Sequence, residues 1–233
     1  PSRGASGDTP SGTRAARGRS GYRARPARGR PAMPDAKRYD EAYFRRWYRG
    51  ADAVAGRRAR LARKVALAVA TAEYYLERPI RSVLDVGCGE GAWRAPLLKL
   101  RPKLDYLGFD ASEYAVRRYG RSRNLHLAGF GDFRWLRPCA PVDLLVCSDV
   151  MHYVPAAELG HGLAGIAELC GGVAFLETFA KEDDFDGDRE GFQPRAASWY
   201  RRAFGAHGLQ TLGSHCWLSP RLAGHASAME SPF

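Results

Sequence analysis

The sequence predicts an α/β fold, a doubly wound and mostly parallel sheet with helices on both faces, on three observations. Short apolar runs alternate with helix-like segments from Ser82 to His207. The runs are apolar on both sides, as strands covered by helices on two faces must be. The first run leads straight into Gly87, Gly89 and Gly91, placed where a strand hands over to a helix.

Residues 1–34 carry eight arginines against one acid, Asp8, which accounts for +7 of the formal charge of +11. Their Arg, Gly, Ala, Pro and Ser content cannot bury enough surface to order itself, so a disordered basic tail is expected there. Met33 would serve as a natural start, which would make 1–32 upstream sequence. A basic arm on RNA is the alternative. A transit peptide is a third reading, but the tail lacks an amphipathic pattern. Residues 35–78 read as N-terminal helices, a possible lid. Asp40 is placed as an N-cap before "EAYFRRWY", and Leu61, Val65, Val69 and Leu76 recur at helical spacing up to Pro79.

The core is expected over 79–233. Strands are read at Ser82–Val86, Leu104–Phe109, Asn124–Ala128, Val142–Cys147 and Gly172–Thr178. Helices are read at Ala92–Leu100, Ser112–Tyr119, Pro155–Leu169 and Ala196–His207. "GLQTLGSHCWL" is a sixth strand, and 222–233 holds no convincing seventh. No apolar run is long enough for a membrane span, and no secretory signal is visible. Cys88, Cys139, Cys147, Cys170 and Cys216 are odd in number, scattered and without a C-x-x-C pair. Reduced thiols in a cytoplasmic protein are therefore expected, with neither a disulfide framework nor a zinc site.

Three glycines at alternate positions imply a backbone that a ligand approaches closely. The spacing fits a dinucleotide fingerprint, G-x-G-x-x-A ending at Ala92. Asp85 argues against it. At ~6 Å and an effective dielectric near 20, a carboxylate beside a pyrophosphate is repelled by about 3 kcal/mol per charge pair. S-adenosylmethionine instead brings a carboxylate for the helix N-terminus, and an ammonium and a sulfonium for nearby acids. Asp110 closes the second strand, where an acid can accept two ribose hydroxyls. Asp132 stands after the third strand, as an adenine contact or a turn residue.

These residues resemble the class I, Rossmann-like S-adenosylmethionine-dependent methyltransferases, through "LDVGCGEG", "GFDAS", "GDFRWL" and "VDLLVCSDVMHYV" over about residues 60–217. The resemblance implies that Asp85, Gly87, Gly89 and Gly91 hold the methionine part and Asp110 the ribose. It places Ala111 and Ser112 beside the adenine, Asp132 and Phe133 at its border, and Ser148 and Asp149 near the reactive methyl. In resembling families the segment before the first sheet helix often folds over the cofactor, which nominates Tyr43 and Trp47. The closing β-hairpin of the family is poorly matched here.

The expected reaction is methyl transfer to a small molecule. Nucleic acid is disfavoured, because "SDVMHY" lacks the Asn/Asp-Pro-Pro-aromatic motif that base-amine and glutamine methylating families share. His152 is the candidate general base, with packing against the cofactor or capping as its alternative. Glu177 ends the fifth strand near the substrate. In "ETFAKEDDFDGDREGFQ", Glu182, Asp184, Asp186, Gly187, Asp188 and Glu190 match a calcium-loop template, but Gln193 replaces its final Glu. A solvated acidic loop that attracts a cationic substrate is the reading preferred over a metal site. An RNA methyltransferase, a non-catalytic cofactor binder and an NAD(P)-dependent oxidoreductase are the rival functions.

Overall fold

The computed structural model describes residue 37 and residues 39–49, 51–184 and 188–230. The tail expected over 1–34 lies outside the described residues. Helix α1 (Glu41–Tyr48) starts as its sequence dictates, with the Asp40 carboxylate accepting the Tyr43 amide at 3.0 Å. Helix α2 (Ala51–Leu76) buries Val65, Ala68, Val69, Ala72 and Tyr75, one stripe at helical spacing. It ends through Glu77 at φ 53°, just ahead of Pro79. That stripe packs into the same cluster as Val83, Leu144 and Phe175 of the sheet. The boundary expected at residue 79 therefore lies within one continuous core.

The alternation read from sequence appears as β1 (Ser82–Val86), α3 (Arg94–Leu100), β2 (Asp105–Asp110), α4 (Glu113–Arg123) and β3 (Leu125–Leu127). It continues with β4 (Val142–Ser148), α5 (Ala156–Leu169), β5 (Cys170–Glu177) and α6 (Ala197–Gly205). Strands β3, β2, β1, β4 and β5 lie side by side in that order, all parallel. Chain order reverses between β1 and β4, which opens a crevice at their carboxyl ends. Along β4, Leu145 and Cys147 face the α5–α6 layer, while Leu144 and Val146 face the α2–α3 layer.

The C-terminal expectation needs correction. "GLQTLGSHCWL" is two strands, β6 (Gln210–Gly213) and β7 (Cys216–Leu218), joined by a tight turn. Strand β7 inserts antiparallel between β5 and β6, with Ala174 opposite Trp217, and completes a seven-stranded sheet. The turn runs through Gly213, Ser214 and His215 at φ 83°, 47° and 66°. It lacks the Asn-Gly or Asp-Gly pair that marks such turns in sequence, so the hairpin was not legible.

Candidate active site

The glycine loop follows β1 at the crevice. Gly87, Gly89 and Gly91 all take left-handed φ values of 72°, 54° and 77°. A Cβ at Gly87 would meet Val150 Cγ2 at 2.3 Å, and one at Gly89 would meet the Phe44 ring at 3.2 Å. Glycine is needed here for conformation and for space alike. Four of the loop amides, however, are already bonded within the protein. Gly87 and Cys88 donate to the Phe109 carbonyl at 2.7 and 3.0 Å, and Gly91 donates to Cys88 at 2.8 Å. Gly89 donates to the Asp110 carboxylate at 2.6 Å. The loop thus contributes close backbone approach rather than a ring of open N–H groups.

Asp110 is fixed from two sides, with its other oxygen accepting the Ser112 amide at 2.8 Å. Ser112 also caps α4, and its hydroxyl donates to the Tyr39 carbonyl at 2.5 Å, which ties the N-terminal segment to the end of β2. Burial raises the Asp110 carboxyl above the ordinary range, and those two amides pull it back down. Asp85 is deeper, at 1% exposure, and accepts the Tyr106 hydroxyl at 2.6 Å. Burial raises its carboxyl to about 7, against the lowering effect of that hydrogen bond.

Two cavities flank the loop. The first, about 200 Å³, is lined by Asp110, Ala111, Ala128 and Phe130 together with Tyr39, Tyr43, Phe44 and Tyr48. The second, about 500 Å³, includes Asp85, Glu90 and Trp93 beside arginines of α2. Tyr48, Gly87, Gly89, Ser148 and Asp149 belong to both walls. Asp149 stands at the end of β4 with φ 61°, an uncommon conformation for a non-glycine residue. Enclosure in the cleft and the nearby Glu177 carboxylate raise its pKa, while Lys64, Arg57 and Arg60 oppose this. Beneath it, Glu177 accepts the Ser148 hydroxyl at 2.5 Å and pairs with Lys64 at 2.5 Å.

Five expected residues are not brought to either cavity wall: Gly91, Ser112, Asp132, Phe133 and His152. The Asp132 carboxylate turns back to the Gly129 amide at 2.7 Å and closes the short helical turn Phe130–Arg134. Phe133 is fully buried, edge-on to Phe109 at 5.6 Å. The border of the first cavity is formed instead by Ala128, Gly129 and Phe130, a few residues earlier. His152 is 1% exposed and packed by the rings of Tyr153, Phe179 and Phe192. Its Nδ1 accepts the Phe179 amide at 3.4 Å, and burial, aided by Lys37, lowers its pKa to about 4. A ring placed this way packs among the protein's own aromatic side chains and lies on neither cavity wall, so it is positioned neither as the expected base nor as the expected cofactor contact or helix cap.

The acidic loop is partly visible; Asp186 and Gly187 lie outside the described residues. Glu182 accepts the Ala197 amide at 3.1 Å, and Asp188 pairs with Lys37. No group of three or more acids, histidines or cysteines able to hold a metal occurs among the described residues. Of the two aromatics nominated as a cover, Tyr43 lines the first cavity, and the Trp47 ring lies beside Arg46 instead. Sequence reasoning missed Phe44 and Tyr48, and missed the basic face of α2. A signal existed for the latter: Arg57, Arg60 and Lys64 stand at i, i+3 and i+7.

Comparison with known proteins agrees with this geometry. A family model described as a methyltransferase domain matches residues 53–229. Among curated proteins, the trans-aconitate 2-methyltransferase of Azoarcus sp. is 28% identical over 151 residues, 64% of this chain and 58% of that protein. The chain thus spans less than two thirds of the length of that relative. Among solved structures, magnesium protoporphyrin IX methyltransferase from Synechocystis PCC 6803, solved with bound SAH, superposes with a TM-score of 0.55 at 20% identity. That match covers 78% of this chain and 96% of that one. A SAM-dependent methyltransferase from Archaeoglobus fulgidus superposes with a TM-score of 0.55 at 16% identity, over 72% and 73% of the two chains. Both likenesses bear on the fold, which is Rossmann-like. With strand order, glycine loop and family match in agreement, this chain belongs to the methyltransferase domain family.

Proposed function

We propose that this protein transfers a methyl group from S-adenosylmethionine to a small-molecule acceptor in the cleft above β1 and β4. The observation that carries the proposal is the Asp110 carboxylate, anchored by the Gly89 and Ser112 amides at the edge of an aromatic-walled cavity. Each of its oxygens keeps a lone pair for a vicinal hydroxyl of a ribose. Ala111, Ala128 and Phe130, with Tyr43 and Phe44, line a space whose aromatic content suits a purine ring. Gly87 and Gly89 let the loop backbone pass close to Val150 and Phe44, where a Cβ would collide, and both glycines line the cavity. Asp85 and Asp149 supply negative charge for an ammonium and a sulfonium.

When bound, the cofactor supplies an electrophilic methyl on a positively charged sulfur. The chain's residues hold the acceptor in line with that methyl, which accounts for most of what such a reaction needs from a protein. Ser148 and Asp149, common to both cavity walls, mark where the two partners meet. A cytoplasmic location belongs to the same proposal, supported by five cysteines that all remain thiols. The names of the curated relative and of the protoporphyrin enzyme support a small acceptor over a polymer.

Calorimetry with S-adenosylhomocysteine and NAD in parallel tests the proposal. Micromolar binding of the first and none of the second is expected. Binding of NAD alone would overturn it.

A further inference from the structure

Lys37 comes from the segment ahead of α1, yet its side chain is only 11% exposed. Its ammonium stands 3.8 Å from the centroid of the Tyr153 ring, and 5.3 and 5.2 Å from those of Tyr39 and Tyr43. It pairs with the Asp188 carboxylate and donates to the Glu190 carbonyl at 2.9 Å. The Asp188 Oδ2 atom is buried and accepts no ordinary hydrogen bond among the described residues, so the ammonium is what answers its charge. Ring faces, a carboxylate and a carbonyl are what an ammonium ion requires of a binding site. The rings also have supports besides the lysine. The Tyr153 hydroxyl donates to the Asp188 carbonyl at 2.6 Å, Tyr39 and Tyr43 meet edge to face at 5.0 Å, and the Ser112 hydroxyl holds the Tyr39 carbonyl.

Tyr39, Tyr43 and Tyr153 also line the first cavity, together with Ser148 and Asp149. The charged residues on that wall, Asp110, Asp149 and Glu158, are all acids, and no lysine or arginine lines it among the described residues. Asp110 is engaged by ribose hydroxyls rather than by a cation, and Tyr153 has no part in the proposed nucleoside site. The tyrosine cage thus borders the wall where the two partners meet, without a cofactor group of its own. Lys37 fills it from within the protein, on a chain segment. A free amine entering the cavity would present the same ammonium to the same rings.

We infer that the methyl acceptor carries an amino group, bound as its ammonium ion among Tyr39, Tyr43, Tyr153 and Asp188, where the Lys37 ammonium stands until the acceptor displaces it. The inference rests on the proposed function and specifies its second substrate. Ring faces attract alkylated ammonium groups as well as primary ones, because the attraction needs positive charge and no N–H. A quaternary amine therefore serves as a probe of the cage. Asp188 and Glu190 belong to the acidic loop, in line with the cationic substrate expected from that loop's charge.

The test uses the full chain, with choline as the probe and its neutral isostere 3,3-dimethylbutan-1-ol as control, followed by calorimetry and thermal melting. Lys37→Ala empties the cage. Choline should bind this variant at least ~10-fold more tightly than wild type and raise its melting temperature, and the alcohol should do neither. Adding Tyr153→Leu to Lys37→Ala should cancel the gain. Adding Tyr153→Phe, which keeps the ring and loses only the hydroxyl contact, should hold choline within about three-fold. Three results would overturn the inference: no tightening of choline in Lys37→Ala, equal binding of the alcohol, or equal choline affinity in the leucine and phenylalanine variants. A fourth would give the cage to the cofactor's sulfonium instead: Tyr153→Leu alone weakening S-adenosylmethionine at least ~10-fold while S-adenosylhomocysteine binds as before. If the cage takes choline but wild-type protein never binds S-adenosylhomocysteine, the cofactor proposal fails and the ammonium site stands. If S-adenosylhomocysteine binds and choline binds neither wild type nor Lys37→Ala, the reverse holds.

Discussion

The two cavities beside the glycine loop share five wall residues and differ in almost everything else. One is small and aromatic, with the buried, doubly anchored carboxylate of Asp110 at its edge. The other is more than twice as large and lined by arginines, two of which lack a hydrogen-bonding partner among the described residues. Side chains in the first are held in place by protein contacts, as suits a ligand whose shape never changes. Those of the second are mostly charged, with Arg49 paired to Glu90 and Lys64 to Glu177. One wall is thus built on ring packing and the other on ion pairs.

The largest expected effect falls where both walls meet. Gly87→Ala places a Cβ against Val150 and forces a left-handed φ on alanine. We expect S-adenosylhomocysteine binding to fall more than ~100-fold and stability to drop by about 1–3 kcal/mol, measured by calorimetry and thermal melting. Wild-type affinity in this variant would show that the loop is not part of the pocket.

Asp110→Ala belongs to the aromatic cavity alone. It should weaken S-adenosylhomocysteine about 10- to 100-fold, as loss of charged hydrogen bonds does, measured by calorimetry. Wild-type affinity in this variant would remove the carboxylate from the nucleoside site.

His152→Ala is expected to destabilise by about 2–4 kcal/mol, as deletion of a buried ring does, while kcat at saturating substrates and its pH profile keep their wild-type form. A selective collapse of kcat in a folded variant would restore the histidine as a base. The wild-type ring also sets an acid limit. Its folded pKa, near 4, lies below the ordinary value of 6.5, so its contribution to stability is present above about 6.5 and disappears as pH falls toward 4.

Asp85 gives the opposite limit and the smallest effect. Its folded pKa, about 7, lies above the ordinary 3.8, so the fold favours the protonated acid. That contribution is complete below about pH 4 and is lost as pH rises through 7. Asp85→Asn should flatten the decline in melting temperature between about pH 4 and 7, a difference of a few degrees, and should also remove any tightening of S-adenosylhomocysteine as pH rises through 7. An unchanged slope would mean that the carboxylate is ionised throughout.

The strands and the glycine loop were legible because strand–helix alternation and glycine spacing are local signals. All five expected parallel strands lie within two residues of their observed bounds. The roles of Asp132, Phe133 and His152 were not legible, because whether a side chain faces a ligand or its own backbone depends on packing. The Asp132 carboxylate had an amide three residues away, and the nearer partner won. The hairpin β6–β7 went unread because Ser214 and His215 adopt a conformation usually reserved for glycine or asparagine. The basic wall was missed for another reason. Arg57, Arg60 and Lys64 carry no local signal that distinguishes them from any charged helix face, and only the packing of α2 brings them to the cavity wall.

One small arrangement ties remote parts of the chain together. The Lys37 ammonium stands 3.8 Å over the Tyr153 ring, pairs with Asp188 and donates to the Glu190 carbonyl at 2.9 Å. The Tyr153 hydroxyl donates to the Asp188 carbonyl at 2.6 Å, and the Tyr39 and Tyr43 rings stand 5.3 and 5.2 Å from the same ammonium. The segment preceding α1 and the stretch following β5 are thereby stapled at a single point. Both segments lean on a single ammonium, so a neutral residue at position 37 would loosen them together rather than one at a time.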